Sequence, residues 1–107
     1  MLIFALKGEQ KMETNEILDT LRKFKQKRGK FYGILSLGLF GSSARGEQKE
    51  DSDIDICIEL EQPSFLTRMD IRNELEDLFH KKVDVISLGA IMRPLFRQSL
   101  EQDAIFV

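Results

Sequence analysis

One cysteine, one histidine and no tryptophan occur in the 107 residues of this chain. A lone Cys57 cannot close an intramolecular disulfide, and one Cys with one His leaves no zinc-ligand spacing, so a disulfide scaffold and a structural zinc module are both excluded. No low-complexity stretch or internal repeat is present, and nothing in the composition suggests disorder. Long hydrophobic runs are missing too. The apolar opening Met1-Leu2-Ile3-Phe4-Ala5-Leu6 is too short to span a bilayer and lacks the basic front and small-residue cleavage site of a signal peptide, so no membrane association is expected. Nor does one sign of charge dominate. A net charge of −2 argues against a general nucleic-acid coat, which needs a broad cationic surface to displace phosphate counterions, so direct nucleic-acid binding is not expected. What remains is a soluble chain suited to a reducing cytoplasm, with the length of a single domain. Met12 begins a better helix entry than Met1. Residues 1–11 therefore read either as a flexible extension or as an upstream start choice, with 12–107 forming one domain.

Along the chain, Thr14 or Asn15 is placed to cap a helix in which Ile17, Leu21 and Phe24 recur at three- and four-residue steps, and this helix is expected to end near Gly29. The run Ile34 to Phe40, bounded by Gly33 and Gly41, reads as a buried strand. Ser42-Ser43-Ala44-Arg45-Gly46 reads as a short helical turn closed by glycine. A second strand is expected from Asp53 to about Leu60. Pro63-Ser64 then opens what should be the longest helix, with Ile71, Leu75, Leu78 and Phe79 as one apolar stripe. A third strand spans Val83 to Ser87, after which Gly89 breaks the run. Pro94 suits a helix start, with Leu95, Phe96 and Leu100 inward, and Ala104-Ile105-Phe106-Val107 reads as a terminal strand. Strands interleaved with helices give an α/β (α+β) class with about four strands.

The run Ser52-Asp53-Ile54-Asp55-Ile56 carries the chemistry. In a strand, residues two apart share a face, so both carboxylates look at one point in space. At about 6 Å and an effective dielectric of about 20 they repel by roughly 3 kcal/mol, a cost that a bound Mg²⁺ reverses. Upstream lies Phe40-Gly41-Ser42. A strand ending in glycine and opening a helical turn exposes unpaired N–H groups suited to phosphate oxygens, and Gly41 lets the backbone approach the ligand closely. Ser42 adds a hydroxyl donor. Asp84, in Val83-Asp84-Val85-Ile86, is a third acid on an apolar strand, where a carboxylate is costly unless paired or metal-bound. Beside the second strand it would complete a three-carboxylate cage for two Mg²⁺ ions, the arrangement used in nucleotidyl transfer.

Together, Leu39-Phe40-Gly41-Ser42-Ser43-Ala44-Arg45-Gly46 and Ser52-Asp53-Ile54-Asp55-Ile56, with ten residues between Ser42 and Asp53, and Val83-Asp84-Val85 resemble the minimal nucleotidyltransferases of the DNA polymerase β superfamily, close to the antitoxin partners of HEPN toxins. The resemblance implies a nucleotidyltransferase-type mixed sheet flanked by helices. It implies that Asp53 and Asp55 bind both metals, that Asp84 binds the catalytic metal and helps deprotonate the acceptor, and that Gly41 and Ser42 hold the terminal phosphates of ATP. Ser43 and Arg45 join the phosphate-binding set, with Arg45 assisting either phosphate or partner binding. It also implies AMP transfer from ATP to a tyrosine of a helical HEPN-type toxin. A chain this short has little with which to form the opposite wall of such a site, so a partner is expected to close it, and a homo-oligomer is compatible with this.

Blander readings stand beside these. Asp53 and Asp55 could be the solvated face of an edge strand, Asp84 could pair with Lys81 or Lys82, and Arg45 could pair with Glu47, Glu50 or Asp51 at little net benefit. Ser43 and Ser52 suit turn and cap positions, His80 a helix end, and Cys57 a packed site. Lys23, Lys25, Lys27, Arg28 and Lys30 read as a solvated helix face. At the level of function, the rivals are a binding module that silences a toxin without catalysis, and transfer to a small hydroxylated molecule or an RNA end.

Overall fold

The computed structural model describes residues 13–49, 51–89, 98, 100 and 102–107; the expectations for residues 1–11 and for Pro94, Leu95 and Phe96 lie outside these. Helix α1 spans Thr14–Tyr32, β1 Ile34–Phe40, a single 3-10 turn Gly41–Ser43, β2 Ile54–Leu60, α2 Phe65–Phe79, β3 Val83–Ser87 and β4 Ile105–Phe106. The sheet order is β3-β2-β1-β4. β1 lies antiparallel to both β2 and β4, whereas β2 and β3 are parallel. A parallel pair needs a long crossover between its strands, and α2 supplies it.

Alternation along β2 divides the molecule. Ile54, Ile56 and Ile58 are each at most 1% exposed and pack with Leu37 and Leu39 of β1 against Ile17, Leu21 and Phe24 of α1 and Ile71 and Leu75 of α2. The residues between them, Asp55 and Cys57, turn to the other face, where Cys57 is buried with Leu88 and Leu100. The helices thus cover one face of the sheet, and the acids stand on the opposite one.

Several local expectations are corrected. Neither Thr14 nor Asn15 caps α1; Glu13 occupies the cap position without a side-chain bond, because the Thr14 hydroxyl donates instead to the Ser43 carbonyl at 2.6 Å. α1 runs past Gly29 to Tyr32 and ends at Gly33, whose φ of 69° is the left-handed conformation that terminates helices. Glycine inside a helix costs about 1 kcal/mol. Here the extra turn places Tyr32 against Phe24, ring centroids 6.4 Å apart, and lets its hydroxyl donate to Glu74, which also takes a two-pronged bond from Arg28 at 3.0 and 3.1 Å. α2, at 15 residues, is shorter than the 19-residue α1. Leu78 is 51% exposed rather than part of the buried stripe, since Leu75 and Phe79 already occupy the inward face.

Candidate active site

The antiparallel register of β1 and β2 sets Phe40 opposite Asp55, and the parallel register of β2 and β3 sets Asp55 opposite Asp84. Residues paired across strands project on the same face about 4.5–5.5 Å apart, so the end of β1, Asp55 and Asp84 form one row across the sheet. Asp53 precedes the first residue of β2, two positions from Asp55, and is exposed. A turn sets its approach: the Ser52 N–H donates to the Lys49 carbonyl at 3.0 Å, and the Lys49 N–H donates to Ser52 Oγ at 2.9 Å. Ile54 N–H then binds the Lys82 carbonyl at 3.0 Å, joining the start of β2 to the approach of β3.

Gly41 follows Phe40 at φ 73°, and a β-carbon there would overlap Asp55 Oδ2. Both facts require glycine, the first for backbone conformation and the second for space. The bend therefore lies directly against the central carboxylate. Ser42 is partly exposed, whereas Ser43 is 1% exposed. The Ser43 Oγ finds no hydrogen-bond partner among the described residues, while its carbonyl accepts from the Thr14 hydroxyl and so ties the turn to α1.

Asp55 carries the electrostatic signature of the site. Its pKa is raised, first by burial and then by the neighbouring charges of Asp84 and Asp53, with Arg45 acting in the opposite sense. Arg45 Nε donates to Glu47 Oε1 at 2.6 Å, and Nη1 lies 3.9 Å from Asp103 Oδ2. Glu47 was among the partners expected for Arg45, while Asp103, 58 positions further on, had no signal in the sequence. Asp84 makes no ion pair with Lys81 or Lys82 among the described residues; the Lys81 ammonium instead reaches the Lys49 carbonyl at 3.4 Å.

Three oxygen-donor carboxylates on one face suit a hard divalent cation such as Mg²⁺ rather than a thiolate- or imidazole-seeking metal. Among the described residues no three acidic, histidine or cysteine side chains are already gathered into a cation cage. Unshielded carboxylates repel, and an added cation would draw them together. A separate groove of about 610 Å³ between α1 and α2, bordered by Lys23, Lys27, Arg28, Asp77 and Leu78, belongs to the helical side of the sheet and touches none of these acids. Among the described residues, no helix is long and apolar enough to cross a membrane.

Comparison with known proteins gives a consistent picture. Residues 18–107 match the family model described as a nucleotidyltransferase domain. A candidate protein adenylyltransferase of Methanocaldococcus jannaschii is 44% identical over 94 residues, covering 87% of this chain and 96% of that protein. A solved structure of a candidate minimal nucleotidyltransferase superposes with a TM-score of 0.71 at 31% identity, covering 88% of this chain and 95% of the other. The matching chain in a complex of a tri-AMPylated Shewanella oneidensis HEPN toxin with an MNT antitoxin shares the fold at a TM-score of 0.63 and 16% identity, over 87% of this chain and 70% of that one.

Proposed function

The chain belongs to the nucleotidyltransferase family, and from that premise we propose that it transfers AMP from ATP to a hydroxyl of a partner protein, a helical HEPN-type toxin that it thereby silences. The observation that carries this reading is the row formed by the Gly41 bend, Asp55 and Asp84 across three adjacent strands. Asp53, Asp55 and Asp84 would hold Mg²⁺, two ions in the full site. Bound Mg²⁺ would neutralise the triphosphate and acidify the acceptor hydroxyl. Gly41 and Ser42 hold the terminal phosphates through backbone N–H groups and the Ser42 hydroxyl, and Arg45 leaves Glu47 to meet a phosphate oxygen or the partner. Asp84, at the outer end of the row, takes the hydroxyl proton. The acceptor oxygen then bonds to the α-phosphorus, the bond from that phosphorus to its bridging oxygen breaks, and pyrophosphate leaves. Residues 12–107 form the catalytic domain in this reading, and dependence on ATP sets the reaction in the cytoplasm.

The protein names of the relatives support an adenylyl donor and a protein acceptor. The test is incubation with ATP, Mg²⁺ and the helical protein encoded beside this chain. Pyrophosphate release and an added AMP mass on the partner are expected, and Asp53→Asn and Asp55→Asn should each lower the rate by more than the ~10–100-fold typical of outer-shell changes at metal sites. Full neutralisation of the partner by the doubly substituted protein, with no AMP added by the parent, would instead make it a binding module.

A further inference from the structure

β3 ends the sheet, so its outer edge meets no strand among the described residues. In a parallel ladder, successive residues direct their N–H and C=O groups alternately toward and away from the neighbouring strand. The Lys82 carbonyl accepts from Ile54 N–H, and Leu88 N–H donates to the Ile58 carbonyl at 2.7 Å, so the even-numbered residues face β2 while Val83, Val85 and Ser87 face outward. Glu76 Oε2 covers the Val83 N–H at 3.0 Å. Val85 has no such cover among the described residues, and it borders a cavity of about 210 Å³ shared with Arg68, Met69, Arg72 and Asp84.

The two arginines are four residues apart on α2, a like-charge spacing unfavourable to the helix itself. Neither forms an ion pair among the described residues. Arg68 rests over the Phe65 ring, 5.3 Å from its centroid. Arg72 reaches only Asn73 Oδ1, at 3.4 Å, and its Nε is shielded from water without an acceptor. A shielded guanidinium N–H lacking an acceptor is costly, and an incoming carboxylate is the partner that satisfies it best.

We propose that the free edge of β3, flanked by Arg68 and Arg72, takes up an extended acidic segment of the protein that receives the nucleotidyl group. The inference rests on the protein-acceptor reading above and names how the acceptor is held. An added strand gains affinity from backbone bonds to Val85 and specificity from alternate side chains. Because those side chains alternate, acids at every second position face the arginines on the helical side. The residue between two such acids falls on the Asp84 side, where the hydroxyl is needed. The preferred acceptor is therefore a hydroxyl-bearing residue flanked on both sides by acidic residues, for which tyrosine serves as the probe.

The test uses two fluorescently labelled peptides, Ser-Glu-Tyr-Glu-Ser and Ser-Lys-Tyr-Lys-Ser, and anisotropy at low salt without ATP. The parent protein should bind the acidic peptide at least about tenfold more tightly, given the cost of like-charge contacts. That preference should vanish in Arg68→Ala/Arg72→Ala and invert in Arg68→Glu/Arg72→Glu, with circular dichroism melts showing that both variants fold. Equal affinity for the two peptides, or a preference unchanged in the variants, overturns the proposal. So does tighter binding of a short single-stranded RNA, or self-association that the variants abolish. If acidic selectivity persists but ATP and Mg²⁺ add no AMP to either peptide, the transfer reading fails while the docking edge stands.

Discussion

At the scale of single residues, Asp55 joins stability to function. Burial and the charges of Asp84 and Asp53 raise its pKa above the ordinary 3.8, so the folded protein holds this proton more firmly than the unfolded chain. The sign follows from linkage: the favourable contribution is complete below the ordinary value and disappears as pH climbs through the raised one, leaving an ionised group that opposes folding at neutral pH. Asp55→Asn, which carries no charge, should therefore melt higher than the parent at neutral pH in a chelator. The two melting curves should converge as pH falls toward about 4, near the unperturbed carboxylate range. Urea unfolding across that range measures it, and a parent protein more stable than the variant at pH 7 would show that repulsion does not govern this position. The same substitution removes a proposed metal ligand, so stability and activity should move in opposite directions.

At the scale of elements, boundaries follow from where backbone groups find partners. Ser64 Oγ accepts from Thr67 N–H at 3.2 Å at the start of α2, while His80 closes the helix in a left-handed conformation, its N–H donating to the Glu76 carbonyl at 2.8 Å. Removing the cap by Ser64→Ala should cost ~1 kcal/mol, whereas Ser64→Asp should retain most of it. Thermal denaturation of the three proteins decides this, and an alanine variant as stable as the parent would mean that packing alone sets the start of α2. The helix matters to the site because α2 carries the chain from β2 to β3 and so brings Asp84 beside Asp55.

At the scale of the whole molecule, the sheet separates two tasks. One face buries Ile54, Ile56 and Ile58 beneath both helices, and the other gathers charge that the fold does not itself neutralise. Ligands that neutralise it should stabilise the entire domain. Mg²⁺ with ATP at about a hundred times the dissociation constant should add about 2.7 kcal/mol, and chelation should remove that gain. Scanning fluorimetry with ATP, Mg²⁺, both and neither would show it. A melting temperature indifferent to all four conditions would argue against a nucleotide site on this face.

Much of this was legible in the amino-acid sequence because it depends on short-range rules. A two-residue period places Asp53 and Asp55 on one side of any strand, and glycine before Ser42 marks a bend wherever the chain folds. All four strands lie within or close to the spans that their apolar patterns indicate. The sequence by itself thus determined the elements and the kinds of group they carry, since these follow from backbone geometry within a few residues. Only the tertiary structure decided that Asp84 stands opposite Asp55, that Ser43 is buried, that Asp103 approaches Arg45, that α1 outlasts Gly29, and that Val85 borders one cavity with Arg68 and Arg72. Each of these depends on register or packing between segments distant in the chain, where many pairings satisfy local preference and burial of a common core selects among them.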